Sequence, residues 1–562
     1  MIMKQTTHII NWIVFLSSVL ILSSCKKEFL ERTPTDSIVD ASFYQTDEQV
    51  LASTALLYSR VWFDYNDKAS YNLGDFRAGT AFSAYNDRGN VLFNTTGDNP
   101  ENAASWRAFF IVVGQSNLAI RNINTYAGAA VSPAVKSHAI AEARFMRSLA
   151  YRFLVMNWGE VPIIENNITL LSDTTVRKNT VESVWKFIIN DMRAAAEALP
   201  ESPLRPGRVT KWSAEGMLAR FYLTRSGLEA KGSGQRNQSD LDSARYYAER
   251  VIRESGNALL NNYANLFLYP YDNNSESLFS LQWVYSPGAW GSQNSTPAYL
   301  AYSGDIANGD GWGGDKSATW WMLQQYDGFS LLDANTMQGR TTDQRLKATF
   351  MLPGASYPEI TQSIPGGEQK LIYPFTGSDQ NFANIKKYVT GKAKDVNGQA
   401  ASQYYGHDTY MLRLAEMYLI YAEAILGNSA SSTDATALEY FNKVHTRAGL
   451  PAFIGPLTLD VILKERFVEF AMEGMAWYDL VSLHYHNAAK AYSILNSQDR
   501  GLFFVEPDAF PDPTQWTITK TEWATSDRTI NANAGNFLLP IPSAELSQAP
   551  NLRKPAVDYY NP

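Results

Sequence analysis

The sequence predicts a mainly α protein: helix pairs forming a superhelical scaffold, with a large irregular, loop-rich subdomain between them. Two observations carry this expectation. Long stretches place apolar residues at helical spacing and stop at Gly or Pro, and two of these stretches repeat one another. Between the repeats, residues 257–406 lose helical periodicity and fill with Gly, Pro, Ser and Asn.

The first segment, 1–24, has Lys4 ahead of an apolar run and small residues immediately before Cys25. That is a secretory leader, with a core shorter than the ~20 residues a spanning helix needs. Cys25 is the only cysteine of the chain and stands where a lipoprotein signal peptidase would cut. It is expected to carry a diacylglyceryl group, because stable anchoring takes two or more acyl chains. Residues 25–40 then read as a polar tether.

An N-terminal helical scaffold is expected over 41–256. It opens on Thr46-Asp47-Glu48-Gln49, a capping box, with Val50, Leu51, Ala55 and Tyr58 as the apolar stripe. From 62 to 101 the periodicity disappears, and loops of that length in compact domains are usually functional or disordered. Helical patterns return at 103–123, 133–158 and 181–199. The pair 214–227 and 242–256 matches the pair 414–427 and 436–449, each mixing small and aromatic residues on its inner faces. Small residues let helices approach closely and a neighbouring ring fills the groove, which resembles tetratricopeptide packing. Residues 278–283 read as a short strand inside the insertion 257–406. C-terminal helix pairs are expected over 407–486 and an irregular region over 487–562.

Composition excludes several chemistries. With one cysteine there is no disulfide, zinc–cysteine cluster or iron–sulfur centre. The 48 Lys and Arg stand against 56 Asp and Glu, a net charge of −8 that becomes −9 when Lys4 leaves with the leader. That balance argues against nucleic acid as a partner. No nucleophile elbow, HExxH, phosphate loop or dinucleotide fingerprint sits in a suitable context. No cofactor and no metal site is expected: His484 and His486 are two residues apart and diverge on a helix. Glu465, Glu469 and Glu473 share i, i+4 spacing, with Arg466 placed to pair with Glu469, and are expected to form buried ion pairs rather than a glycosidase dyad.

Several segments, taken in order, resemble the SusD-like (RagB/SusD) family of outer-membrane lipoproteins. They are the lipobox with Phe29-Leu30-Glu31, Trp106-Arg107-Ala108-Phe109-Phe110, Glu142 to Tyr151, Trp158-Gly159-Glu160-Val161-Pro162, Arg413-Leu414-Ala415-Glu416, Arg447-Ala448-Gly449-Leu450-Pro451, Glu473-Gly474, Trp477 and Leu539-Pro540-Ile541-Pro542. The resemblance implies four tetratricopeptide-like helix pairs with an irregular subdomain. It also implies a non-enzymatic surface lipoprotein that captures oligosaccharide for a SusC-like TonB-dependent transporter. A peptide-capturing RagB-type protein and a glycoside hydrolase are the alternative readings.

The candidate site follows from aromatic clustering. Five of fourteen tryptophans (Trp283, Trp290, Trp312, Trp320 and Trp321) fall within 39 residues, where uniform scatter puts about one. A flat ring covers the apolar face of a sugar at little entropic cost, and Asn, Asp and Arg supply forked contacts to its hydroxyls. The glycan-binding candidates are therefore Trp283, Trp290, Tyr299, Trp312 and Trp320, with Asp75, Arg77, Tyr85, Asn86 and Arg88 from the early loop, all expected on one face.

The anchor is directly testable. Cys25→Ala should release the protein into the soluble fraction or leave it unprocessed; a normally cleaved form that stays with the membrane would show that Cys25 is not the anchor.

Overall fold

Ten helices of nine or more residues are found among the described residues, and eight of them begin at a side-chain cap. The computed structural model describes residues 40–83, 88–168, 170, 175–373, 383–501, 503–507, 516–520 and 528–561. In chain order the helices are α1 Asp47–Ala55, α2 Pro100–Tyr126, α3 Pro133–Trp158, α4 Val181–Ala198, α5 Lys211–Arg225, α6 Gln238–Glu254, α7 Leu414–Leu426, α8 Ala435–Arg447, α9 Leu459–Glu469 and α10 Ala476–Asn496. The predicted capping box at Thr46 is present, with the Thr46 hydroxyl and Gln49 side chain each accepting the other's backbone N–H. Ser132 and Thr180 cap α3 and α4 in the same sense, and proline at the first position starts α2 and α3.

Successive helices from α2 to α7 pack side by side, and α7 then packs on α8 and α9, giving tetratricopeptide-like pairs wound into one scaffold. The amphipathic α4 buries Val184, Ile188, Met192 and Ala195 and leaves Lys186, Asn190 and Arg193 in water. Helix α3 is different: from Phe145 to Trp158 every residue is buried, so it runs through the core. The charged residues it buries need partners. Glu142 receives Arg208 at 2.5 Å, and Arg147 forks onto Asp191 at 2.7 and 3.0 Å.

The strands are short. β1 Ala81–Ser83 pairs with β3 Lys316–Ala318, and β2 Ser277–Leu281 with β10 Thr409–Arg413. β6 Ser356–Ile364 pairs with β7 Gly367–Ile372, and β8 Ala400–Ala401 with β9 Tyr404–Tyr405. A four-stranded antiparallel sheet has the order β11 Phe503–Pro507, β12 Trp516–Lys520, β5 Thr336–Gly339, β4 Ser330–Asp333. The strand expected at 278–283 is β2, one residue earlier at its start.

Three sequence expectations are corrected. The stretch 62–101 is not simply loop: Tyr65–Ala69 and Asn72–Phe76 are wide helical turns, β1 follows them, and Arg88–Val91 is a short helix. Irregular structure does not begin at Asn487, because α10 resumes beyond a break at that residue and runs to Asn496. Finally, Arg466 does not pair with Glu469; it meets Asp479 at 2.7 Å and Glu416 at 3.1 Å.

Glu469 instead lies at the centre of a buried ionic hub. It accepts Arg413 at 3.0 Å, Arg447 at 2.5 Å and Arg345 at 3.3 Å. Arg413 also holds Glu276 at 2.6 Å and Glu473 at 2.7 Å, Lys387 reaches Glu473 at 3.0 Å, and Arg345 bridges Asp343 and Glu465. The hub joins α8 and α9 to β10, to the turn before β2 and to the loop bearing Lys387. Burial pushes the Glu469 carboxyl up, but Arg447, Arg413 and Arg345 together outweigh it and hold it at about 2.

Removing one partner from such a hub strands buried charge, so Glu469→Gln should cost roughly 3–5 kcal/mol by urea unfolding. The sign of the pH dependence follows from the depressed value. Glu469 and Glu416, both held at about 2 against an ordinary 4.5, are charged in the folded protein while the unfolded chain takes up protons. Their stabilisation is complete above about 4.5 and drains away as pH falls toward 2. The Glu469→Gln variant should show a shallower acid limb than the parent; an unchanged slope would remove Glu469 from the account.

Candidate functional site

The exposed part of the aromatic cluster is built on tight backbone contacts. Gly311 and Gly313 flank Trp312 and lie flush against the 300–304 backbone: a Cβ on Gly311 would come within 2.1 Å of the Ser303 carbonyl carbon, and one on Gly313 within 2.1 Å of the Leu300 carbonyl oxygen. Only glycine fits at both places. The Trp312 N–H donates to the Ala298 carbonyl at 3.1 Å, and its indole is left 57% exposed. The fully buried Lys316 fixes this segment from beneath. Its ammonium donates to the Trp312 carbonyl and to Asp315, each at 2.8 Å, and sits 4.3 Å from the Tyr299 ring centroid. Tyr299, half-buried, stacks on Tyr71 with centroids 5.0 Å apart.

Trp290 occupies a second exposed position, at 50%, on the turn closed by the Ala289 N–H to the Ser286 carbonyl at 3.0 Å. It stands edge-on to Phe63 at 5.3 Å and to Tyr404 at 5.7 Å. Phe63 and Tyr404 were not among the sequence candidates. They come from distant segments, and only the fold brings them to Trp290.

The early loop reaches the same region by strand pairing. Ser83 of β1 lies opposite Lys316 of β3, and its hydroxyl donates to Asp315 at 2.6 Å. β1 therefore ends beside the Trp312 segment. Tyr85 and Asn86 lie outside the described residues, as does Cys25; Arg88 opens the short helix Arg88–Val91.

Four of the candidates are interior and are corrected here. Asp75 is fully buried and accepts the N–H of Met472 and Gly474 at 2.9 and 2.8 Å and the Thr80 hydroxyl at 3.1 Å. Burial pushes its carboxyl up to about 7 in spite of those donors. The contact exists because Gly74 lets the two backbones touch: a Cβ there would be 2.4 Å from the Gly474 Cα. Arg77 lies between the rings of Phe93 and Trp477, 4.5 and 4.6 Å from their centroids, and donates to the Asn536 and Phe537 carbonyls at 2.8 and 3.0 Å. Trp283 is core, its indole N–H donating to Thr409 at 3.1 Å. Trp320 is buried as well, and its neighbour Trp321 packs edge-on against Phe467. Non-periodic, glycine-rich context signals irregular backbone, and irregular backbone has its own core.

A separate cleft of about 400 Å³ opens between the 341–348 and 356–359 segments, floored by Phe267, Leu346, Leu352 and Tyr357 with Lys386 at its side. Lys386 is paired with Glu359 at 3.2 Å. The cleft suits a compact ligand, whereas the Trp290 and Trp312 rings present open faces along which an extended chain can lie.

Comparison with known proteins places the fold. The model of the SusD family matches residues 275–559, and one described as starch-binding and associating with the outer membrane matches 28–223. A SusD-like protein of Bacteroides ovatus is 36% identical over 561 residues, covering 97% of this chain and 98% of that protein. A crystal structure with xylogluco-oligosaccharide superposes with a TM-score of 0.77 at 36% identity, covering 91% of this chain and 99% of the other. A laminarin-binding SusD-like protein has the same fold at a TM-score of 0.64 and 21% identity, over 91% of this chain and 99% of its own. Matched along nearly its whole length, in sequence and in fold, the chain belongs to the SusD family.

Proposed function

We propose that this protein binds oligosaccharide without turning it over, on the face carrying Trp290, Tyr299 and Trp312, and passes it to a SusC-like TonB-dependent transporter. In this reading the body is tethered to the outer membrane through lipid on Cys25 and faces the exterior. Association with the outer membrane accords with the description of the family that matches residues 28–223. The observation that carries the ligand class is Trp312: the fold spends two glycines and a buried lysine to hold an indole in water. Exposed aromatic rings in rigid settings are the usual platform for a sugar's apolar face. The 36% identical structure with xylogluco-oligosaccharide favours a neutral, β-linked glucan-type ligand over a peptide.

The acids argue against hydrolysis. A glycosidase needs one carboxyl able to give up a proton at working pH and a second facing the same bond. Glu465 and Glu469 are held below the usual range by their arginines, and the raised Asp75 is sealed under backbone N–H groups. None of these three can reach a polysaccharide.

Two measurements follow. Isothermal titration should show micromolar to millimolar binding of xylogluco-oligosaccharide, about −4 to −8 kcal/mol, with no heat from a peptide digest and no products by chromatography. Binding of peptide alone, or released sugar, would overturn the reading. Trp312→Ala and Trp290→Ala should each weaken binding by roughly 1–3 kcal/mol with little change in Tm. Trp283→Ala, by contrast, should lower stability by about 3–5 kcal/mol, because it empties a core position.

A further inference from the structure

The two exposed tryptophans are linked through one hairpin. β8 and β9 pair Ala400 with Tyr405 and Ala401 with Tyr404, which leaves Ser402 and Gln403 as a two-residue loop. At the base of the hairpin, Tyr405 exchanges backbone hydrogen bonds with Asn294 at 2.9 and 3.2 Å, gripping the end of the turn that carries Trp290. The Tyr405 hydroxyl accepts the Asn308 amide at 3.2 Å. Tyr404 meets the Trp290 ring edge-on, with centroids 5.7 Å apart. The loop reaches the Trp312 segment as well, where the Ser402 hydroxyl donates to Asp310 Oδ2.

Ser402 is an unexpected residue for its place. Of the two loop residues only Ser402 has a positive φ, 50°, a conformation that such hairpins usually give to glycine. It is exposed, so no packing calls for a Cβ there. What serine supplies and glycine lacks is the hydroxyl, and that hydroxyl is on Asp310. Asp310 is half-buried two residues before Trp312, at most about 7.6 Å from it between Cα atoms. With Oδ2 engaged by Ser402, no donor among the described residues reaches Oδ1. A carboxylate held at one oxygen and open at the other is a charged acceptor for hydroxyls, and such hydrogen bonds are the stronger kind.

We propose that Asp310 is the hydroxyl-reading residue of the glycan face and that Ser402 is its positioning residue. This role rests on the reading of the Trp290 and Trp312 face as the glycan site. The sugar whose apolar face lies on Trp312 donates from its hydroxyl edge to Asp310 Oδ1, and the hairpin holds that acceptor in register with both rings.

The test is isothermal titration of xylogluco-oligosaccharide into the parent protein, Asp310→Asn, Ser402→Gly and Trp312→Ala, with Tm measured for each. Asp310→Asn should weaken binding roughly 5- to 50-fold. Ser402→Gly should weaken it about 3- to 10-fold while Tm holds or rises, because glycine suits the left-handed conformation and only the hold on Asp310 is lost. A residue that merely shaped the loop would give the reverse, a change in Tm with affinity intact. Parent-like affinity in Asp310→Asn or Ser402→Gly, with Trp312→Ala weakened, would overturn the assignment and leave the glycan face standing. Parent-like affinity in Trp312→Ala would overturn the face itself, and the assignment with it.

Discussion

Buried charge that must be matched is the constraint on which the rest of this structure depends. Glu469 collects three arginines, each from a different part of the chain: Arg345 from the irregular subdomain, Arg413 from the end of β10, Arg447 from α8. Through Arg413 and Lys387 the network continues to Glu276 and Glu473. A hydrophobic contact tolerates sliding, but a buried carboxylate surrounded by guanidiniums has few satisfactory positions. The loop-rich subdomain therefore meets the helical scaffold in one register, although it contributes few long elements of its own.

That fixed register is what allows aromatic residues to be displayed. With the subdomain anchored from below, β3 can pair with β1, Lys316 can sit under Tyr299 and Trp312, and the 311–313 backbone can close against 300–304. Trp290, on another turn, gains Phe63 and Tyr404 as neighbours at its edges. Rigid rings lose little entropy when a ligand arrives, which suits weak, broad recognition of a flexible glycan. Buried pairs such as Arg147 with Asp191, Arg208 with Glu142 and Arg466 with Asp479 lock the scaffold helices together and supply position rather than chemistry.

How much of this could be read from the sequence depended on periodicity. Residues 133–158 carry an unbroken helical pattern between proline and glycine, and α3 spans Pro133–Trp158. The strand at 278–283 and the capping box at Thr46 were legible for the same local reason. Asp75 and Arg77 were not, because their partners are Gly474, Met472, Trp477 and Phe537, some 400 residues away in sequence. Polar residues in a non-periodic stretch suggest water; here they are the polar core of a crossing between segments. The tryptophans divide similarly. Trp290 and Trp312 stand clear, whereas Trp283 finds Thr409 across the β2–β10 ladder. Trp312 is bracketed by Gly311 and Gly313 and Trp290 by Ala289 and Gly291, whereas Trp283 stands between Gln282 and Val284.

The central claim is that the exposed rings, and neither the apolar cleft nor the scaffold grooves, receive the glycan. A crystal structure with a neutral xylogluco-oligosaccharide addresses it most directly. The account predicts sugar rings in van der Waals contact with the Trp312 and Trp290 faces and backbone unmoved at Gly311 and Gly313. Ordered sugar in the cleft floored by Phe267 and Tyr357, with both tryptophans bare, would contradict it.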